Sequence, residues 1–137
     1  MNWRHRQSKM IEELNSKIFS GDPCRKIHEE YSSMDIENKK YIQELKNRKV
    51  SPTRYDGSLI EKKKYDFLVN QSKVLNKIPG YVCRFDDGSY WAWNLNKVEE
   101  PKWYEKMLPD NSELRNKIIF VPKMVGDLTL KDGVKLI

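Results

Sequence analysis

Histidine and cysteine are scarce in this chain, with two of each among 137 residues. Cys24 and Cys83 stand far apart, without the close pairing that zinc sites and redox motifs need. Together with His5 and His28 they match no zinc-finger spacing, and separate reduced thiols are the expectation. Glycine is sparse too, at six residues, and no glycine-rich phosphate loop occurs. No apolar run approaches the roughly 18 residues that span a bilayer. The first fourteen residues carry charge throughout and lack the apolar stretch of a signal peptide. A cytoplasmic protein with no membrane partner, no metal and no cofactor is therefore expected. Nothing in the sequence sets an oligomeric state.

What the chain does have is positive charge gathered in one place. The net charge is +6, from 26 Lys and Arg against 20 Asp and Glu. Residues 1–79 hold 17 bases against 11 acids, whereas residues 80–137 hold nine of each. A window from Asn38 to Lys64 carries nine bases against three acids, Glu44, Asp56 and Glu61. Such segregation costs self-repulsion and points to a counter-charged partner.

The first half reads as helical. Trp3, Met10, Ile11, Leu14 and Ile18 recur at helical spacing, and Gly21 supplies a stop. Asp22-Pro23 can cap a short second helix with Cys24, Ile27 and Tyr31 inward. Ile36, Tyr41, Ile42 and Leu45 predict a third. Pro52 and Asp56-Gly57 mark a loop. Ser58 and Glu61 have capping-box spacing for a fourth helix that ends before Pro79.

From residue 80 the period changes. Tyr81–Phe85 and Tyr90–Leu95 flank Asp86-Asp87-Gly88-Ser89, a hairpin signal. Glu99-Glu100-Pro101 predicts a short helix to Leu108, residues 117–121 a strand, and residues 128–136 a terminal hairpin. The expected fold is α+β: about four N-terminal helices packed on a small C-terminal antiparallel sheet or barrel of about five short strands. The division falls at 79/80, a basic helical part and a net-neutral β-rich part forming one compact unit. The hairpin and following strands look somewhat like an SH3- or Tudor-like barrel, a likeness of fold that carries no function.

On this reading the working surface is a basic helix-loop-helix. Lys39, Lys46, Arg48 and Lys49 lie on one helix, Arg54 and Tyr55 project from the loop, and Lys62, Lys63 and Lys64 surround the next helix start. Spread cations of this kind suit phosphates along a nucleic-acid backbone, DNA or RNA, and Tyr55 can stack on a base. The leading expectation is a non-enzymatic protein that binds nucleic acid or a ribonucleoprotein. The alternative is a small inhibitor or adaptor, of the sort viruses and mobile elements encode, that binds an acidic or nucleic-acid-associated protein through the same face. The hairpin aromatics, Trp91 and Trp93 on one face and Tyr90 on the other, are expected in the core.

Cleavage of nucleic acid needs more. A restriction-type nuclease core places an Asp ahead of an acid-x-Lys on the next strand, where the acids hold a divalent metal beside the lysine. Asp86 or Asp87 is followed by Asn94-Leu95-Asn96, with asparagines in place of the acid and the lysine. Glu100-Pro101-Lys102 contains a proline unsuited to a paired strand, and Glu61-Lys62-Lys63 falls at a predicted helix start. A metal-dependent nuclease therefore ranks third, no catalytic residue is assigned, and a degenerate nuclease-like site at Asp86 and Asp87 stays open.

Overall fold

Residues 25–29, 33–37 and 41–47 are strands, and the rest of the architecture follows from that. The computed structural model describes residues 3–29, 33–109 and 119–137. Helix α1 (Trp3–Lys17) leads into β1 (Arg25–Glu29), β2 (Ser33–Glu37) and β3 (Tyr41–Asn47). After a turn come β4 (Gly57–Glu61) and α2 (Lys62–Leu75). The chain continues through β5 (Ile78–Arg84), β6 (Tyr90–Asn94), β7 (Tyr104–Pro109), β8 (Phe120–Thr129), a 3₁₀ turn at Leu130–Asp132 and β9 (Val134–Lys135). A six-stranded mixed sheet runs in the order β1-β2-β3-β5-β6-β9, and a three-stranded sheet in the order β4-β8-β7.

The expected four helices on a small barrel are thus replaced by two α-helices and nine strands among the described residues. The second and third expected helices are β1, β2 and β3; residues 30–32, within the second, lie outside the described residues. Local polar bonds close the β2–β3 turn. Asn38 Oδ1 accepts the N–H groups of Lys40 and Tyr41 at 3.1 and 2.7 Å, and the Asp22 carboxylate accepts that of Lys39. Strand β3 is central and covered on both faces, so Ile42 to Leu45 are all buried. A strand buried on both sides shows no alternation, which is why Ile36, Tyr41, Ile42 and Leu45 mimic a helical stripe.

Strands β3 and β5 are parallel, and parallel neighbours need a long crossover. Here the crossover contains β4 and α2. Ser58 and Glu61 therefore do not form a capping box: Ser58 lies in β4, and Glu61, at the head of α2, makes no side-chain cap bond. Helix α2 buries Tyr65, Leu68 and Ser72 and stops at Asn76, whose backbone is left-handed with φ 54°. Pro79 lies inside β5.

The expected hairpin is present as β5–β6, with Asp87 Oδ1 accepting the Ser89 N–H at 2.9 Å. The expected helix after residue 99 is instead an extended segment and β7, which pairs with β8. Of the strand expected at 117–121, residues 117 and 118 lie outside the described residues, and Phe120 opens β8. The expected terminal hairpin is a 3₁₀ turn, and β9 pairs with β6 rather than folding back on β8. Gly57, with φ 121°, packs so closely on β8 that a Cβ would lie 1.9 Å from the Leu128 carbonyl oxygen.

Two cores sandwich the larger sheet. On one face Met10 and Leu14 of α1 pack with Ile36, Leu45, Val82 and Tyr90. On the other, Tyr65 and Leu68 of α2 and Ile60 and Leu128 of the smaller sheet pack with Ile42, Tyr81, Phe85 and Trp93. Tyr90 and Trp93 thus face opposite cores, as alternation requires. Among the described residues no helix is long and apolar enough to cross a membrane.

Candidate functional site

A charged island lies within the apolar face that α2 and the smaller sheet cover. Asp35 of β2, Glu44 of β3 and Tyr81 of β5 are register partners, one row across three strands. Directly opposed antiparallel residues bring their Cβ atoms to about 4.5–5.5 Å, so the two acids are neighbours on one face of the sheet. Period two puts Lys46 on the same face as Glu44. Asp35 is 0 % exposed and Glu44 4 % exposed. Buried carboxylates are costly unless paired. Both Asp35 oxygens accept bonds from Lys64 Nζ, at 3.1 and 3.0 Å, reaching over from the first turn of α2.

Arg48, just past β3, fixes the roof. It donates to Ser58 Oγ at 3.0 Å, to the Leu59 carbonyl at 3.0 Å and to the Tyr81 hydroxyl at 3.2 Å. Tyr81 in turn donates to the Leu59 carbonyl at 2.9 Å. Burial pushes the Tyr81 phenol well above its ordinary value, so it remains a donor. Together these bonds staple β4 onto the larger sheet.

Between the sheets is a cavity of about 280 Å³ lined by Glu44, Lys46, Arg48, Glu61, Leu108 and Lys123, among others. Lys46 is half-buried there. Burial pushes its ammonium below the ordinary lysine value; Glu44 and Glu61 pull it back up and Arg48 adds to the fall. Lys123 of β8 pairs with Glu61 at 3.3 Å across the mouth. At roughly 30 Å³ of liquid volume per water, the cavity has room for a phosphodiester group with several waters.

The cations singled out in the sequence are dispersed. Lys39 is exposed at the β2–β3 turn, and Lys49 is exposed beyond the other end of β3, a strand about 20 Å long at roughly 3.3 Å per residue. They share no helix flank, because there is no helix there. Arg54 and Tyr55 are exposed together in the turn before β4, the guanidinium 5.6 Å from the ring centroid. Lys62 pairs with Asp66 at 2.8 Å, and Lys63 is exposed. Lys46, Arg48 and Lys64 belong to the charged island. The basic helix-loop-helix is thus, in fact, a strand, a turn, a second strand and a helix start.

Sequence reasoning missed Asp35 and Glu44. The signal was there: Asp35, then Glu44-Leu45-Lys46, is the Asp followed by acid-x-Lys sought elsewhere in the chain, on adjacent strands. It was hidden because both segments read as helix. The Asp86–Asp87 alternative is a hairpin turn, where hydrogen bonds from Ser89 hold the Asp87 carboxyl below its ordinary value. In Glu100-Pro101-Lys102, the Glu100 carboxylate accepts the Trp103 indole N–H at 3.0 Å.

Compared with known proteins, the chain matches no family model, no curated protein and no solved structure. The reading of the site rests on its own geometry.

Proposed function

We propose that this protein is a divalent-metal-dependent phosphodiesterase that acts on nucleic acid, the third-ranked expectation from sequence. The observation that carries the reading is the Asp35–Glu44 carboxylate pair with Lys46 beside it on the same face. Of the cations the sequence advertised, Lys46 and Arg48 line the cavity beside that pair.

The donor set fits Mg²⁺ or Mn²⁺. Magnesium takes one or two carboxylates, keeps several waters and prefers hard oxygen donors. Asp35 and Glu44 supply such donors, and Asp35 already attracts a cation in the form of Lys64. Among the described residues no cluster of three or more His, Cys, Asp or Glu could hold a metal, so a cage of zinc type is not on offer. When bound, the metal would supply Lewis-acid polarisation of a phosphoryl oxygen.

The protein's own groups do the rest. Lys46 places positive charge where negative charge builds up on the phosphate during attack. Burial lowers the Lys46 pKa below the ordinary lysine value, and the fraction present as neutral amine can take the proton of the attacking water, becoming the ammonium that then faces the phosphate. Arg48 is tied to β4 by three bonds and holds the cavity roof in place. Lys123, at the mouth, attracts the incoming backbone. Leu108 and Pro109 give the lining an apolar side.

The test is cleavage of end-labelled DNA and RNA with Mg²⁺ or Mn²⁺, comparing the wild type with Asp35→Asn and Lys46→Ala. Metal-dependent cleavage lost in both variants, with folding intact by circular dichroism, supports the assignment. No cleavage of either polymer with either metal overturns it. Binding without cleavage would return the molecule to the non-enzymatic class, with Lys64 closing the acidic pair.

A further inference from the structure

A second site lies on the opposite face of the larger sheet, beneath α1. Asn47, Arg84 and Tyr90 end or begin β3, β5 and β6, and they are register partners in one row. The parallel strands β3 and β5 both terminate here, and ligands commonly bind outside the carboxyl ends of such strands. Helix α1 crosses above, presenting Arg6, Lys9, Glu13 and Lys17 from one side at helical spacing. The space between is about 740 Å³, the size of a small-molecule site at roughly 300–1,000 Å³. It is separate from the acidic pair, which faces α2.

Two features identify the ligand chemistry. The lining carries four cations, Arg6, Lys9, Lys17 and Arg84, against two carboxylates, Glu12 and Glu13. Lys17 is partly neutralised by Glu13 at 3.6 Å, which leaves an excess of positive charge around Arg6, Lys9 and Arg84. The floor is polar as well. Tyr90 is 0 % exposed, with Glu13 and Arg84 beside its hydroxyl; the Asn47 amide oxygen is buried and unbonded. Buried polar atoms in folded proteins are nearly always satisfied, and each exception needs a partner or a cost. An anion without an O–H answers the cations but donates nothing to Asn47 Oδ1. A ligand that joins an anion to a group with N–H or O–H donors answers both.

We infer that this groove binds a nucleoside 5′-phosphate, with the phosphate against Arg6, Lys9 and Arg84 and the sugar or base donors against Asn47, Tyr90 and Glu13. The nucleotide can be free or can be the terminal nucleotide of a strand. The inference stands apart from the phosphodiesterase reading, because it uses none of the same side chains.

Isothermal titration of the full chain in EDTA with AMP, adenosine and inorganic phosphate tests it without any catalysis. AMP is expected to bind at least tenfold tighter than either fragment. Tyr90→Phe keeps the ring in the core and is expected to weaken AMP roughly tenfold, as loss of one hydrogen bond does. Arg6→Ala with Lys9→Ala, on the exposed side of α1, should bring AMP down to the affinity of adenosine. A 5′-phosphorylated oligonucleotide that binds tighter than AMP places the site on strand ends, whereas AMP binding tighter points to free nucleotide. No AMP binding at millimolar concentration overturns the inference. So do phosphate binding equal to AMP and affinities unchanged in both variants.

Discussion

Replacing Lys64 by Met tests whether the acidic pair is a cation site. The substitution keeps the length and apolar stem of the side chain and removes the ammonium that bonds both oxygens of Asp35. Asp35 is fully buried, so its charge is left without that compensation. Breaking a buried pair by removing one partner costs about 3–5 kcal/mol. With an m-value of about 2 kcal/mol/M, the urea midpoint should fall by about 2 M in EDTA. A divalent cation that binds between Asp35 and Glu44 takes over the lost role. At a hundred times its Kd it restores about 2.7 kcal/mol by mass action, most of the deficit. Wild type should gain less from the same metal, since Lys64 competes for Asp35. Adding Asp35→Leu to Lys64→Met replaces both charges with apolar groups; stability should return toward wild type and the metal response should vanish. The assay is urea unfolding followed by tryptophan fluorescence, with and without Mg²⁺. Equal Mg²⁺ stabilisation of wild type and Lys64→Met, or a metal response that survives in the double variant, would refute the site.

Two further outcomes follow from buried titratable groups. Cleavage by the wild type should rise with pH and level off above the lowered value of Lys46, short of the ordinary 10.5, and Lys46→Arg, which stays charged, should lose the rise; a profile identical in both rejects proton transfer through Lys46. The same shift has a stability sign: between the lowered folded value and 10.5 the unfolded chain binds more protons, so this group makes the fold more stable as pH climbs through that window. Burial pushes the Cys24 thiol to about 12, with Asp22 adding to it, and burial pushes Cys83 to about 11 against the pull of Arg48. Iodoacetamide at mildly alkaline pH should therefore label neither in the native protein and both in concentrated guanidinium, as mass spectrometry would read; labelling of native Cys83 at the rate of a simple thiol would contradict its burial.

How much of this was legible in the sequence depended on which faces each element buries. The β5–β6 hairpin announced itself, because Asp86-Asp87-Gly88-Ser89 carries turn chemistry and the flanking aromatics suit strands. Helices α1 and α2 were also readable, since each buries one stripe. Strand β3 was not. Helix α1 covers Gln43 and Leu45 while α2 and the smaller sheet cover Ile42 and Glu44, and a residue string buried on both sides has no readable period. The error then spread to the site. With 36–45 drawn as a helix, Glu44 and Lys46 pointed apart from Asp35, and only strand register could bring them together. The crossover made a second trap: Ser58 and Glu61 have capping-box spacing, yet Ser58 serves Arg48 at 3.0 Å inside β4. Pairing between sequence-distant strands, such as β9 with β6, leaves no local mark at all.

Two lysine clusters in this chain break local rules. Helix α2 begins with Lys62, Lys63 and Lys64, with no acid in its first turn and no side-chain cap at Glu61. Cations at a helix N-terminus oppose the macrodipole by about 0.3–1 kcal/mol each when exposed. Lys106 and Lys123 stand directly opposite each other on β7 and β8, and like charges so placed also destabilise. One lysine of each cluster meets a carboxylate: Lys64 holds Asp35, and Lys123 pairs with Glu61 in the cavity lining. A fold under selection for stability alone would carry acids at the start of α2. A surface that receives a polyanion has reason to keep lysines there. Lys63→Glu separates these accounts, because Lys63 is exposed and its two effects have opposite signs. Removing the repulsion and adding a favourable acid should raise stability by about 0.5–1 kcal/mol, a Tm gain of about 2–3 °C at this chain length. The same change should weaken DNA binding and reduce the magnitude of its salt slope by about one. A thermal melt and a filter-binding salt titration on one preparation read both. A variant that melts higher and binds as well as wild type would show that the lysines at the head of α2 do not meet the phosphate backbone.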